Sequence, residues 1–167
     1  MEKTRILFVC LGNIIRSPLS EHMFRHLAEK RGVSAKFDVD SAGTGGWHVG
    51  ESPDPRMVRV AAGHGLHYDG AARQIRPGDL EKFDFIFAMD RENQASLMRM
   101  ARDDQQRSKI HLLREFDLFG GVQSSVPDPY YAGINGFEET YQIVERSCQG
   151  LLDALEDGSL AKGESSA

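Results

Sequence analysis

A chain of 167 residues with 40% apolar composition is long enough to bury one substantial core and too short for two ordinary domains, so one domain over residues 1–157 is expected, with a polar tail, 158–167, that frays. A formal charge of −5 without a Lys/Arg cluster argues against nucleic acid or an anionic membrane as partner, and any anion site has to be built locally. The two cysteines, Cys10 and Cys148, are too few for a secreted disulfide framework, and Ile6 to Val9 is too short for a signal-peptide core or a membrane span; a reduced, cytoplasmic setting is expected.

Arg5 to Val9 reads as a short buried strand, and Ser17 to Arg31 as an amphipathic helix with Leu19, Met23, Phe24 and Leu27 on one side. Pro18 suits the start of that helix, where its missing N–H has no helical partner, and Gly32 suits its end. His22 and His26 share a helix face, but no further metal ligands lie near them, so a solvated face is expected and no metal. Phe37 to Asp40 predicts a second strand and Asp54 to His64 a second helix, opened by Ser52-Pro53-Asp54-Pro55. Phe83 to Met89 predicts a third strand, Arg91 to Arg102 a third helix and Lys109 to Leu113 a fourth strand. The last helix runs from Gly136 to Glu156, because Phe137, Tyr141, Val144, Cys148, Leu151, Leu152 and Leu155 recur at helical spacing. Such alternation implies an α/β architecture: a four-stranded parallel twisted sheet with helices on both faces, three layers in a flavodoxin-like arrangement. Ligands of such sheets sit beyond the carboxyl ends of the strands.

Val9-Cys10-Leu11-Gly12-Asn13-Ile14-Ile15-Arg16-Ser17-Pro18 places a cysteine at the end of a buried strand and an arginine at the start of the next helix. A loop of this length curls so that the backbone N–H groups of Leu11, Gly12, Asn13, Ile14 and Ile15 converge on one anion, with the helix dipole adding to the field. Gly12 and Asn13 enter left-handed conformations most cheaply. The same field stabilises a thiolate at Cys10, Ser17 is placed to donate a hydrogen bond to it, and the planar fork of Arg16 suits two phosphoryl oxygens.

Val9 to Ser20 resembles the signature loop of the low-molecular-weight protein tyrosine phosphatases (phosphotyrosine protein phosphatase type I), whose relatives include arsenate reductases. The resemblance continues in order and spacing through Asp40-Ser41-Ala42-Gly43-Thr44, Trp47-His48, Ser52-Pro53-Asp54-Pro55, His64-Gly65, Met89-Asp90 and Val126-Pro127-Asp128-Pro129-Tyr130-Tyr131. It implies a metal-free hydrolase acting on phosphotyrosine-containing proteins, with Cys10 as nucleophile, Arg16 binding the phosphoryl group and inorganic phosphate or vanadate as inhibitors. By spacing alone Asp128 is a turn former between two prolines; the resemblance assigns it the general acid and base. Trp47, Tyr130 and Tyr131 are expected to wall a slot for the phenyl ring. Asn13, Ser41 and His64 resemble the hydrogen-bond network that supports the loop, and Asp54 and Asp90 match family positions at which a helix cap is an adequate explanation.

Two departures carry information. Many members have a second cysteine before the arginine, and Ile15 in its place removes a local disulfide as protection for Cys10. Ile14 stands where members resembling phosphoarginine phosphatases have threonine, which favours aryl phosphate. An arsenate reductase on this fold needs further cysteines, and the segment around Lys82 to Asp104 has none. The other rival, a non-catalytic phosphate-binding regulator, needs neither Cys10 nor Asp128, and Cys148 reads as a core residue.

Overall fold

The computed structural model describes residues 2–120 and 124–163. Strands β1 (Thr4–Cys10), β2 (Phe37–Gly43), β3 (Phe85–Ala88) and β4 (Ile110–Leu112) form one all-parallel sheet in the order β2-β1-β3-β4. β1 has neighbours on both edges, and Ile6, Leu7, Phe8 and Val9 are all inaccessible to solvent. Successive residues of a strand face opposite sides. Ile6 and Phe8 thus enter one core with Leu19, Met23 and Phe24 of α1 (Arg16–Lys30) and Val144, Cys148 and Leu151 of α6 (Ile134–Glu156). Leu7 and Val9 enter a second with Leu80, Leu97 and Ala101. Two packed faces explain why this strand reads as an unbroken apolar run rather than as an alternation.

The remaining helices are α2 (Pro55–Gly63), α3 (Asp79–Lys82), α4 (Arg91–Met100) and α5 (Asp104–Ser108). Side chains cap three of them: Asp54 accepts from Arg56 N, Asp90 from Asn93 N and Asp103 from Gln106 N. The fold is the expected flavodoxin-like α/β arrangement. β2 runs three residues beyond the predicted Asp40, because Ser41, Ala42 and Gly43 stay in register with Phe8, Val9 and Cys10. Helices α3 and α5 are too short to show a period in the sequence. Among the described residues no helix is long and apolar enough to cross a membrane. Of the tail expected to fray, residues 164–167 lie outside the described residues; within it Leu160 packs on the core and Lys162 Nζ lies 3.5 Å from Asp84 Oδ2.

One buried ion cluster fastens the chain after β4 to α6. The Asp117 side chain is fully buried and meets Arg146 Nε at 2.9 Å, Arg114 Nε at 3.2 Å and the Phe119 N–H at 3.0 Å. Burial pushes this carboxyl up, but the bonds from Arg146, Phe119 N–H and Arg114 outweigh it and hold the group below the ordinary carboxylate range. A depressed carboxyl contributes stability that is complete above its unfolded value and is lost as pH falls through its folded one. Asp117→Asn is therefore predicted to lower unfolding free energy by roughly 2 kcal/mol at neutral pH. In urea titrations the gap to the parent protein narrows once pH falls below about 4.

Candidate active site

Cys10 ends β1, Arg16 opens α1, and the five residues between them form a tight loop at the carboxyl end of the sheet. Neighbouring backbone pins the outer side of this loop: Thr44 N–H donates to Cys10 O (2.9 Å), Gly45 N–H to Leu11 O (2.9 Å) and Asp54 N–H to Ile14 O (2.8 Å). In a planar trans peptide the N–H points opposite to the C=O, so the N–H groups of Leu11, Gly12 and Ile15 are turned away from those partners, to the cleft side. The approach is close enough that a Cβ at Gly43 would lie 2.8 Å from Leu11 O, which excludes any side chain there. Asn13 has φ 57°, alone in the left-handed region among the described residues other than glycine.

Hydrogen-bond direction around Cys10 follows from one donor. The backbone N–H of Arg73 donates to Asn13 Oδ1 at 2.9 Å, so Asn13 Nδ2 has to be the donor to Ser17 Oγ (2.8 Å) and Ser41 Oγ (3.0 Å). Ser41 then gives its proton to Glu21 Oε1 at 2.6 Å, and Arg25 Nη1 pairs with Glu21 Oε2 at 2.6 Å. Ser17, which also accepts from Asn13, lies 2.9 Å from Cys10 Sγ and 3.4 Å from Ala42 O, and it is the donor to the sulfur when Cys10 is a thiolate. With the Asn13 N–H at 3.2 Å, the sulfur has two donors.

Arg16 is buried, and its Nη1 donates to Asp90 Oδ2 at 2.7 Å and to Val126 O at 3.0 Å. Nη2 lies 3.6 Å from Asp128 Oδ2. Asp90 therefore has two tasks, since its Oδ1 caps α4 while Oδ2 anchors Arg16. The loop carrying Asp128 is docked by Val126 N–H on Met89 O (2.7 Å) and by Thr140 Oγ1 on Pro127 O (3.3 Å). Asp128 is 43% exposed, and its Oδ1 accepts the Tyr130 N–H at 3.1 Å.

These side chains meet in one cleft of about 230 Å³, with Cys10, Leu11, Gly12, Ile14, Ile15 and Arg16 at its base and Trp47, His48, Asp128, Tyr130 and Tyr131 around it. The Trp47 ring lies across Gly45, where a Cβ would fall 1.8 Å from it, and is 73% exposed, so it is no core anchor. Tyr130 and Tyr131 meet edge to face with centroids 4.9 Å apart. Asn13, Ser17 and Ser41 act from behind the loop. His64 does not join them: its Nε2 is 2.6 Å from Glu138 Oε1 and its ring stacks on Tyr141 at 4.2 Å, tying the end of α2 to α6. The support expected from His64 comes instead from the Arg73 N–H and from Glu21. Arg73 is held by Asp40 and Asp79, both at 3.0 Å. Cys148 is fully buried with Sγ 3.7 Å from Ser20 O, and burial pushes its thiol up.

The family model for low molecular weight phosphotyrosine protein phosphatases matches residues 5–160. The chain belongs to that family. It is 44% identical over 154 residues to the low molecular weight protein-tyrosine-phosphatase of Streptomyces coelicolor, covering 92% of this chain and 94% of that protein. It is 46% identical over 153 residues to the low molecular weight phosphotyrosine protein phosphatase of Schizosaccharomyces pombe, covering 90% and 96%. Among solved structures, the protein tyrosine phosphatase of Entamoeba histolytica matches with a TM-score of 0.90 at 37% identity, covering 95% of this chain and all of that one.

In this low molecular weight phosphatase the two tasks of Asp90 use its two oxygens. Asparagine caps a helix as well as aspartate does, but it brings no negative charge to Arg16. Asparagine has one oxygen for these two donors, so in Asp90→Asn the amide nitrogen faces Arg16 Nη1 while the oxygen keeps the cap; the change is predicted to lower unfolding free energy by about 1–3 kcal/mol and to weaken inorganic phosphate binding about tenfold by calorimetric titration.

Proposed function

We propose that this phosphatase hydrolyses aryl phosphate monoesters, phosphotyrosine in proteins above all, through a phosphocysteine on Cys10 and without a metal or other cofactor. The observation that carries the reading is the sulfur of Cys10, supplied with two donors at the floor of a cleft that Arg16 and Asp128 also line. In the first step the thiolate attacks phosphorus while the P–O bond to the leaving group breaks, and protonated Asp128 gives its proton to the departing phenoxide. Arg16 and the loop amides take the charge that accumulates on the equatorial oxygens. In the second step the Asp128 carboxylate removes a proton from water, which attacks phosphorus as the P–S bond breaks. Ser17 stabilises the thiolate that leaves, and inorganic phosphate is released with Asp128 again protonated.

Trp47, Tyr130 and Tyr131 supply the ring walls that an aryl phosphate needs, and Ile14 adds an apolar surface at the base. This supports phosphotyrosine over phosphoarginine. A thiol nucleophile with Ile15 beside Arg16 and Cys148 sealed in the core suits a reducing compartment, and cytoplasm is the proposed location. The same isolation of Cys10 weighs against a disulfide relay from arsenate.

Turnover of para-nitrophenyl phosphate with chelator present tests the reading. The intact protein is expected to turn over and to be inhibited strongly by vanadate, which mimics the trigonal-bipyramidal transition state. Cys10→Ser is expected to fall to background, and Asp128→Ala to lose about 10²–10³ in kcat/KM with phenyl phosphate. Turnover that survives in Cys10→Ser, or that chelator abolishes, would contradict it.

A further inference from the structure

Arg56 stands behind the cleft wall and touches both loops that build it. Its Nε and Nη2 pair with the two oxygens of Asp54 at 3.1 and 2.8 Å, a two-point grip that fixes the plane of the guanidinium. Asp54 is buried, and its own N–H holds Ile14 O, so the grip is rooted on the phosphate loop. The remaining nitrogen, Nη1, donates to Tyr130 O at 3.0 Å. The guanidinium carbon also lies 5.2 Å from the Tyr130 ring centroid and 4.7 Å from that of buried Phe137 on α6. Tyr130 is thus held by its carbonyl and by its ring, while its N–H holds Asp128 Oδ1. The ties at Val126 and Pro127 all precede Asp128 in the chain. Beyond Asp128, the link back to the phosphate loop runs through Arg56.

We propose that Arg56 is a positioning residue that sets the carboxyl of Asp128 over the leaving-group oxygen by clamping Tyr130 to the phosphate loop. The inference rests on Asp128 being the proton donor. If Arg56 is removed, the N–H that orients Asp128 is no longer fixed relative to Cys10 and Arg16. The effect is confined to proton donation, so it depends on how much the leaving group needs a proton. Phenoxide, a strong base, needs one, whereas dinitrophenoxide departs without it.

The experiment compares kcat/KM for phenyl phosphate and dinitrophenyl phosphate, a parameter that reports the first chemical step. The proteins are the parent, Asp128→Ala, the pair Asp54→Asn with Arg56→Met, and all three changes together. Asp54→Asn accompanies the arginine change so that no unpaired carboxylate is left buried, and asparagine still caps α2. Arg56→Lys serves as a second variant that keeps a charge beside Asp54 without the fork needed to reach Tyr130 as well. The paired variant is expected to lose about tenfold on phenyl phosphate and less than about twofold on dinitrophenyl phosphate, and Arg56→Lys to lose in the same order. Added to Asp128→Ala, the pair is expected to change phenyl phosphate turnover by less than about twofold, because the acid it positions is already gone. Equal losses on both substrates, no loss, or losses that multiply with Asp128→Ala would overturn the inference. A steep leaving-group dependence in Asp128→Ala beside a flat one in the Arg56 variants overturns it alone. No such dependence in Asp128→Ala removes the reading of Asp128 and the inference with it.

Discussion

A backbone N–H can only donate a hydrogen bond, and that one-way property, at Arg73, orients the support of the phosphate loop. Once Asn13 Oδ1 is committed to it, the amide nitrogen must face the hydroxyls of Ser17 and Ser41, and each hydroxyl must pass its proton onward. With a thiolate at Cys10 one proton goes to its sulfur, and the other goes to the carboxylate of Glu21. Donors can converge on the sulfur because the nearer acceptor for Ser17 is Cys10 Sγ, at 2.9 Å against 3.4 Å for Ala42 O. Asn13 also occupies the left-handed bend that lets its own N–H point at Cys10, so a single residue gives the loop its shape and its polarity. A glycine there would satisfy the bend and lose the relay.

Charge in the cleft is divided in a related way. Arg16 has two carboxylates within reach, and they differ in contact and exposure. Asp90 is bonded at 2.7 Å and committed to the cap of α4, which makes it a fixed anchor for the guanidinium. Asp128 is at 3.6 Å, half exposed, and carried by a loop whose ties run to Met89 just after β3, to α6 and, through Tyr130, to Arg56. The first suits a group that must stay still. The second suits one that gains and loses a proton in each turnover. For a phosphate bound as proposed, Arg16 is already held on one edge, with little left to order on binding.

The sequence made β1, the phosphate loop and α1 legible because an unbroken apolar run, a Gly-Asn bend and a helix-opening proline each have a local cause. The long α6 was legible through its period. What failed to show depends on distance in space. The N–H of Arg73 has no side-chain signature, and nothing near it in the chain marks it as a partner of Asn13. Motif order puts His64 with the loop network, yet it follows a helix end that carries it to Glu138 and Tyr141. A helix cap accounts for one oxygen of Asp90, but its second oxygen faces an arginine 74 residues earlier in the chain. The pairing of Glu21 with Arg25 at helical spacing was available as a signal, and it marks where the relay ends. His48, at the cleft edge against Gly12, could have been found beside Trp47.

The central claim is that Cys10 carries the phosphoryl group and that the proton from Ser17 eases its release. Quenched-flow mass spectrometry of para-nitrophenyl phosphate turnover, comparing the parent with Ser17→Ala, tests it most directly. The account predicts a peptide containing Cys10 heavier by one phosphoryl group, present at a larger steady-state fraction in Ser17→Ala because the sulfur has lost its donor in the second step. Phosphoryl transfer to another residue, or equal fractions on Cys10 in the two proteins, would contradict it.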